Sequence, residues 1–286
     1  MSDSRSQGAV AADPAALVAK EARLREAVAR LGSVLVAFSG GADSAYLAWI
    51  CTDVLGGCAW CVTGDSPSYP ARHRAMAERL AREFRLQHEF VATAEIDNPS
   101  YRANAPDRCY HCKHELFSRL TAMAHARGIA AVLDGANADD RGDYRPGRAA
   151  AREFGVVSPL DDAGLSKDEI RELSRRAGLP TWDEPASACL SSRIPYHSEV
   201  SPEKLRMIEQ AEDALHALGF RVCRVRHHDE IARIEFDAAD LARALQEPAR
   251  TTIVRELKAL GYRYVTLDLQ GYRTGSLNEG VALKPV

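Results

Sequence analysis

From position 14 the chain switches repeatedly between two kinds of apolar spacing. Residues 14–31 (PAALVAKEARLREAVARL) return an apolar side chain every three or four positions, the period of a helix with one buried face. Gly32 ends that pattern, and Val34–Phe38 follow as an unbroken apolar run of strand length. Helical spacing resumes over 42–55, a second apolar run covers Cys58–Thr63, and Gly64-Asp65-Ser66-Pro67 interrupts it. Residues 72–84 alternate charges as a helix, Gln87–Ala92 reads as a strand, 113–127 as a helix, and Ile129–Leu133 as a buried strand ahead of Asp134-Gly135. Strands and helices in this alternation predict βαβ units around a parallel sheet.

The second half has a different rhythm. Ser166 precedes KDEIRELSRRAGL, with acidic residues in the first turn and a closing glycine, the signature of a capped helix. Pro180, Pro185 and Pro195 then punctuate a loop, TWDEPASACLSSRIPYH. A helix over 202–218, strands over Arg221–Arg226 and Ile231–Phe236, a helix over 251–260 and a strand over Tyr262–Leu269 predict a smaller α+β module. The chain is therefore expected to divide into a flexible tail over 1–13, a main α/β domain over 14–195 and a C-terminal α+β domain over 196–286.

Composition narrows the function classes. The 286 residues carry 37 basic and 40 acidic side chains, a formal charge of −3, which removes the electrostatic argument for a dedicated nucleic-acid binder. Hydrophobic residues at 46% and charged residues at 27% are the balance of a globular protein able to bury a full core. No apolar run is long enough to span a bilayer, and the N-terminal segment has no basic region followed by an apolar core, so neither a membrane partner nor export is expected. Seven cysteines without an export signal read as reduced thiols, metal ligands or catalytic groups, and a cytoplasmic setting follows.

Ser39-Gly40-Gly41-Ala42-Asp43-Ser44 joins a buried strand to a helix. Glycines there let the backbone turn sharply and approach a ligand, and the free N–H groups of a helix start favour an anion. There is no GK[ST] ending and no G-x-G-x-x-G, so two common nucleotide loops are excluded. The string resembles the pyrophosphate loop of the PP-loop (N-type) ATP pyrophosphatase superfamily, which cleaves ATP between the α- and β-phosphates and adenylates an oxygen of the substrate. The resemblance implies an adenine nucleotide alpha hydrolase-like fold. It also implies that Ser39, Gly40, Gly41, Asp43 and Ser44 bind the pyrophosphate portion of ATP with Mg²⁺, and that Asp65 and Ser66, at the end of the second strand, lie by the adenosine.

Cys109-Tyr-His-Cys112 is a C-x-x-C read as standing just before a helix, and three chemistries compete for it: a zinc half-site, a redox dithiol or part of an iron–sulfur site. No second pair follows at zinc spacing. The remaining loop thiol is Cys189. Cys58 and Cys61 fall in a predicted strand, where residues three apart point to opposite faces, so both are expected in the core together with Cys51 and Cys223.

Taken in order, SGGADS, RCYHCKHELF, GANADD, PASACLSSRIPY and RVRHHDEIARIEF resemble the LarE family of ATP-dependent sulfur transferases over about 20–275. The resemblance implies adenylation of the carboxylates of pyridinium-3,5-biscarboxylic acid mononucleotide, followed by replacement of each adenylate by sulfur, in synthesis of the nickel-pincer cofactor of lactate racemase. Some members sacrifice the sulfur of the cysteine equivalent to Cys189. Others hold a [4Fe-4S] cluster on three cysteines, its fourth iron carrying a sulfide, and Cys109, Cys112 and Cys189 match that second type. By the same resemblance Arg224 and Arg226, which share one face of a strand, line the substrate pocket, with Ser192 and Arg193 beside the sulfur-bearing Cys189. Guanidinium groups suit a dicarboxylate mononucleotide. Asn137 and Asp140 follow a buried strand at the sheet edge where open α/β folds bind ligands, and are read as nucleotide or metal positioners or as an Asx turn. Glu209 and Glu212, a turn apart on a helix, read as solubilising carboxylates. A sulfide donor and a homo-oligomer, hexameric by resemblance, are the implied partners. The rival enzyme is a tRNA-thiolating PP-loop protein, which the charge of −3 disfavours; the non-enzymatic rival is a zinc-stabilised nucleotide-binding module.

Overall fold

A computed structural model describes residues 13–141, 145–185 and 188–273, so residues 1–12 of the tail expected over 1–13 and the end of the C-terminal domain lie outside the described residues. Asp13 accepts from the Ala15 N–H at 3.0 Å and Pro14 opens helix α1 (Pro14–Leu31), a cap chemistry that satisfies donors the helix cannot. There follow β1 (Val34–Ala37), α2 (Ala42–Leu55), β2 (Ala59–Asp65), α3 (Ala71–Glu83), β3 (Gln87–Ala92), the single turn α4 (Pro99–Arg102), α5 (Arg108–Ala126) and β4 (Ala131–Leu133). Two short helices, α6 (Gly147–Glu153) and α7 (Pro159–Asp162), lead to α8 (Lys167–Arg176).

The first four strands form a parallel sheet in the order β3-β2-β1-β4, with Val36 opposite Cys61 on one side and Leu133 on the other. β1 is buried along its whole length because helices cover both faces. Its alternation sorts the core. Val34, Val36 and Phe38 point into a cluster with Leu17 and Leu24 of α1, Tyr46 and Ile50 of α2 and Leu173 of α8. Leu35 and Ala37 point the other way, against Phe117 and Leu120 of α5 and Ala150 of α6.

The later residues build α9 (Pro202–Ala217), β5 (Cys223–His228), β6 (Ile231–Phe236), α10 (Leu241–Ala244), α11 (Ala249–Ala259) and β7 (Tyr264–Leu267). β5 and β6 pair antiparallel, β6 and β7 parallel, over a core of Leu215, Phe220, Val225, Ile234, Phe236 and Leu257. A separate apolar cluster of Tyr101, Leu190, Ile194, Val200, Leu205 and Ile208 joins the loop after α8 to α4 and α9. Among the described residues no helix is long and apolar enough to cross a membrane.

Two sequence expectations need correction here. The C-x-x-C does not precede its helix: α5 begins at Arg108, five positions earlier than the pattern suggested, so Cys109 and Cys112 lie in its first turns, three apart and on one face. Cys58 is not a core residue. Gly56 and Gly57 delay the start of β2, leaving Cys58 exposed in a 3₁₀ turn, whereas Cys61 in the strand is buried, as are Cys51 and Cys223.

Candidate active site

The glycine loop turns from the C-terminal end of β1 into α2. Gly40 has φ +72°, a conformation that an L side chain resists, and a Cβ there would stand 3.3 Å from the Ala77 backbone nitrogen of α3. Ser39 Oγ and Ser44 Oγ are 3.0 Å apart, and the Ser44 hydroxyl also donates to the Gly41 carbonyl at 3.1 Å. The first internal bond of α2 is Ala45 N–H to Gly41 carbonyl, so the amides of 42–44 precede the ladder and present donors at a positive helix end. Gly135, after β4, lies so close that a Cβ would be 3.1 Å from the Ser44 nitrogen. One carboxylate oxygen of Asp43 is buried without a hydrogen-bond partner, and burial pushes its carboxyl above the usual range. An orphaned buried anion of this kind suits a cation, so the loop fits Mg²⁺ held by Asp43.

A cleft of about 260 Å³ opens between this loop and the three-stranded unit. Gly40 and Gly41 form one wall, Arg72, His73 and Met76 of α3 a second, and Arg193, Glu212, Arg221 and Arg224 a third. Arg193 makes a bidentate pair with Glu212, Nε to Oε1 and Nη2 to Oε2, both 2.9 Å, with both side chains almost fully buried. Burial alone would raise the Glu212 carboxyl; Arg193, with help from Arg224 and the Val225 N–H, holds it below the usual range. The third nitrogen of Arg193 donates to the Ala188 and Cys189 carbonyls at 2.8 and 3.1 Å and to Ser192 Oγ at 2.9 Å. The cysteine loop is thereby fastened to α9. Arg224 lies 5.0 Å from the Tyr272 ring centre, and burial and neighbouring Arg193 depress its guanidinium. Arg226, expected beside Arg224 in the pocket, is not among the residues lining the cleft; it donates to Glu235 at 2.6 Å and to the Ser192 carbonyl at 3.0 Å. His73 is kept neutral by burial and by Arg72, Arg193 and Arg224, its pKa lowered to about 4.

Cys109 is exposed, while Cys112 and Cys189 are partly covered. The three are electrostatic neighbours: burial pushes the Cys112 thiol up, with Glu95, Cys189 and Cys109 adding to it. Among the described residues no three Cys, His, Asp or Glu side chains converge on one metal ion. A polynuclear cluster places each thiolate on a different iron and does not require that convergence, so a donor set of three free thiols, one of them exposed, fits the chemistry of such a cluster. Leu190 N–H donates to the Ser68 carbonyl at 2.9 Å, and Tyr101 and Ser191 hydroxyls lie 2.6 Å apart, which pins Cys189 near the end of β2.

Four sequence-selected residues have their recorded partners outside the cleft. Asp65 pairs with Arg74, and Ser66 donates to Glu95 at 2.5 Å. Asn137 and Asp140 form a reciprocal capping box on the 3₁₀ turn Ala138–Asp140, and Asp140 also pairs with Arg145 at 3.0 Å. None of the four lines the cleft.

The reading of Glu209 and Glu212 as solubilising groups is overturned. Glu209 accepts from the Ala71 N–H at 2.6 Å, capping α3, whose own Pro70 offers no side-chain cap. Glu212 is 5% exposed. A signal was present: Leu205, Ile208, Glu212 and Leu215 share one helical stripe, and a carboxylate on an apolar stripe calls for a buried cation. Arg72 and His73, also missed, carried no signal, since a helix face of alternating charge looks solvated.

No protein-family model matches the chain. It is 43% identical over 262 residues to an uncharacterized protein of Synechocystis sp., covering 92% of this chain and 98% of the relative. It is 38% identical over 266 residues to a pyridinium-3,5-bisthiocarboxylic acid mononucleotide synthase of Lactiplantibacillus plantarum, covering 93% and 96%. An uncharacterized protein of Methanocaldococcus jannaschii is 29% identical over 241 residues, covering 84% and 91%.

Proposed function

Since the chain belongs to the LarE family, we propose that it is an ATP-dependent sulfur transferase that converts the carboxylates of pyridinium-3,5-biscarboxylic acid mononucleotide into thiocarboxylates, in synthesis of the nickel-pincer nucleotide cofactor. The observation that carries this reading is the single cleft in which Gly40 and Gly41 face Arg193 and Arg224. It brings a pyrophosphate-type loop and a dicarboxylate-type arginine set to one space.

The substrate carboxylate oxygen attacks the α-phosphorus of ATP. A P–O bond forms, the bond to the bridging oxygen breaks, and pyrophosphate leaves. The amides of 42–44 and the Ser39 and Ser44 hydroxyls hold that leaving group. Asp43 would hold Mg²⁺, which when bound supplies positive charge beside that leaving group. Arg224 orients the anionic substrate, while Arg226, Arg193 and Ser192 fix the edge of the cysteine loop against it. No general base is required, because the attacking carboxylate is already ionised at neutral pH. The acyl adenylate then presents a carbonyl carbon with a good leaving group, and a sulfur nucleophile displaces AMP as the C–O bond breaks. Cys109, Cys112 and Cys189 would hold a [4Fe-4S] cluster, which when bound supplies sulfide as that nucleophile. An external sulfide donor and a homo-oligomer complete the reading.

Anaerobically purified, reconstituted protein should contain iron and labile sulfide, lose both in Cys109→Ala and Cys189→Ala, and release pyrophosphate and AMP from ATP only with the dicarboxylate mononucleotide. Absence of pyrophosphate release with that substrate overturns the transferase reading. Turnover without iron, leaving dehydroalanine at 189, replaces the cluster by a sacrificial Cys189.

A further inference from the structure

Among the described residues four arginines are buried, and what holds each of them sorts them by task. Arg108 fastens the 191–198 loop: it donates to the Ser191 carbonyl at 2.8 Å and to Asn104, whose amide donates to the carbonyls of Pro195 and Ser198 at 2.8 and 3.0 Å. Arg193 and Arg226 are matched by the buried carboxylates Glu212 and Glu235. Arg224, 6% exposed, lines the cleft with Gly40 and Gly41 and donates to the Cys223 carbonyl at 2.7 Å. Its guanidinium lies over the Tyr272 ring, 5.0 Å from the centre.

A built turn puts that ring there. After β7 the Asp268 N–H donates to the Ile234 carbonyl at 2.9 Å, and the Asp268 side chain accepts from the Gln270 N–H at 2.9 Å. The Gly271 N–H closes the turn on the Asp268 carbonyl at 3.0 Å. Gly271 has φ +69°, and a Cβ on it would stand 2.9 Å from the Phe236 carbonyl oxygen, so an L side chain suits neither the conformation nor the space. That close pass lets the Tyr272 N–H bond the Phe236 carbonyl at 2.7 Å. Phe236 stands opposite Cys223 in the β5–β6 ladder, one position from Arg224. Other arginines over rings, such as Arg243 on Phe220 and Arg127 on Trp60, do not line the cleft. A π face attracts a guanidinium but carries no formal charge, so it fixes the cation without cancelling it, as a carboxylate would.

We propose that Tyr272 is a positioning residue for the anionic substrate: its ring holds the Arg224 guanidinium at the cleft without neutralising it. The inference rests on the reading that the cleft takes a pyridinium dicarboxylate. It gives the turn over 268–272 a task in recognition, acting through Arg224.

The contact is read without any ligand. In nitrogen-labelled full-length protein the Arg224 Nε–H resonance, assigned by its loss in Arg224→Met, should be shifted upfield by the ring. Tyr272→Leu should abolish that shift and Tyr272→Phe should keep it. An unshifted Arg224 resonance in the unmodified protein overturns the proposal even if Tyr272→Leu does not fold. The consequence is read by calorimetry with pyridinium-3,5-biscarboxylic acid mononucleotide. Tyr272→Leu should raise its Kd about tenfold, the size of a desolvated cation–π contact, while Tyr272→Phe stays within about twofold and the Kd for ATP is unmoved. In an Arg224→Met background Tyr272→Leu should add nothing further. Equal weakening of both ligands, or additive losses, assigns Tyr272 to the fold alone and overturns the proposal. Failure of the unmodified protein to bind the dicarboxylate defeats the substrate reading, and the Arg224 resonance then still decides whether Tyr272 holds the guanidinium.

Discussion

At the scale of single residues, the buried Arg193–Glu212 pair is costly to break from either side. Glu212→Gln leaves a buried guanidinium without its anion, and Arg193→Met leaves a buried carboxylate without its cation. Each should lower stability by about 3–5 kcal/mol in urea unfolding, while the double variant should lose less than the sum of the two. The pair has a defined pH window. The Glu212 carboxyl is depressed in the folded state, so its contribution is complete above the ordinary carboxylate range and disappears as pH falls through the lowered folded value. His73 acts in the same direction over a higher pH window. With a folded pKa lowered to about 4 from the usual 6.5, the unfolded chain takes up its proton first, so stability declines as pH drops from about 6.5 toward 4. Filling the cleft with pyrophosphate should raise that pKa, since an anion answers Arg72, Arg193 and Arg224. An imidazole proton titration by NMR checks both statements, and a midpoint near 6.5 in the free protein would contradict them.

At the scale of elements, Gly40 ties the loop to α3. Gly40→Ala imposes a left-handed φ on an L residue and sets a Cβ against the Ala77 backbone. A loss of about 1–2 kcal/mol is expected from the conformation alone, with a raised KM for ATP because either α3 or the loop must shift. Stability and ATP kinetics on one variant would show whether the two effects travel together. The periodicities made α1, α2, β3 and β6 legible to the residue, because each presents one uninterrupted apolar pattern with turn residues at its ends. α5 was legible only from 113 onward. Its first turns carry Cys, Tyr, His and Cys, all weaker helix formers than Ala or Leu, and Asp107 gives no side-chain cap to mark the start. The glycine loop and the three thiols were readable as strings. That Arg193 reaches both α9 and the Cys189 carbonyl, or that Arg108 bonds the Ser191 carbonyl, is a fact about which segments meet, and neighbours in sequence do not encode it.

At the scale of the whole molecule, the active cleft belongs to neither sheet alone. One wall is built on the parallel sheet and another on β5 and α9, and the apolar cluster of Tyr101, Leu190, Ile194, Val200, Leu205 and Ile208 holds them in register. Ile208→Ala should therefore act at a distance. Beyond a loss of about 2–5 kcal/mol, hydrogen exchange should quicken in 189–200 while β1 and β2 stay protected, and the same exchange rate in all three segments would contradict a local hinge.

The clasp of Asn104 and Arg108 on the 191–198 loop also sets a schedule. At about 5–20 residues per second during synthesis, Cys109 and Cys112 leave the ribosome several seconds before Cys189, and only the docked loop brings the third thiol to the other two. Whatever the three share must arrive after that closure. On the proposed reading, maturation of the sulfur site follows the docking of that loop, so a loaded site reports a closed clasp.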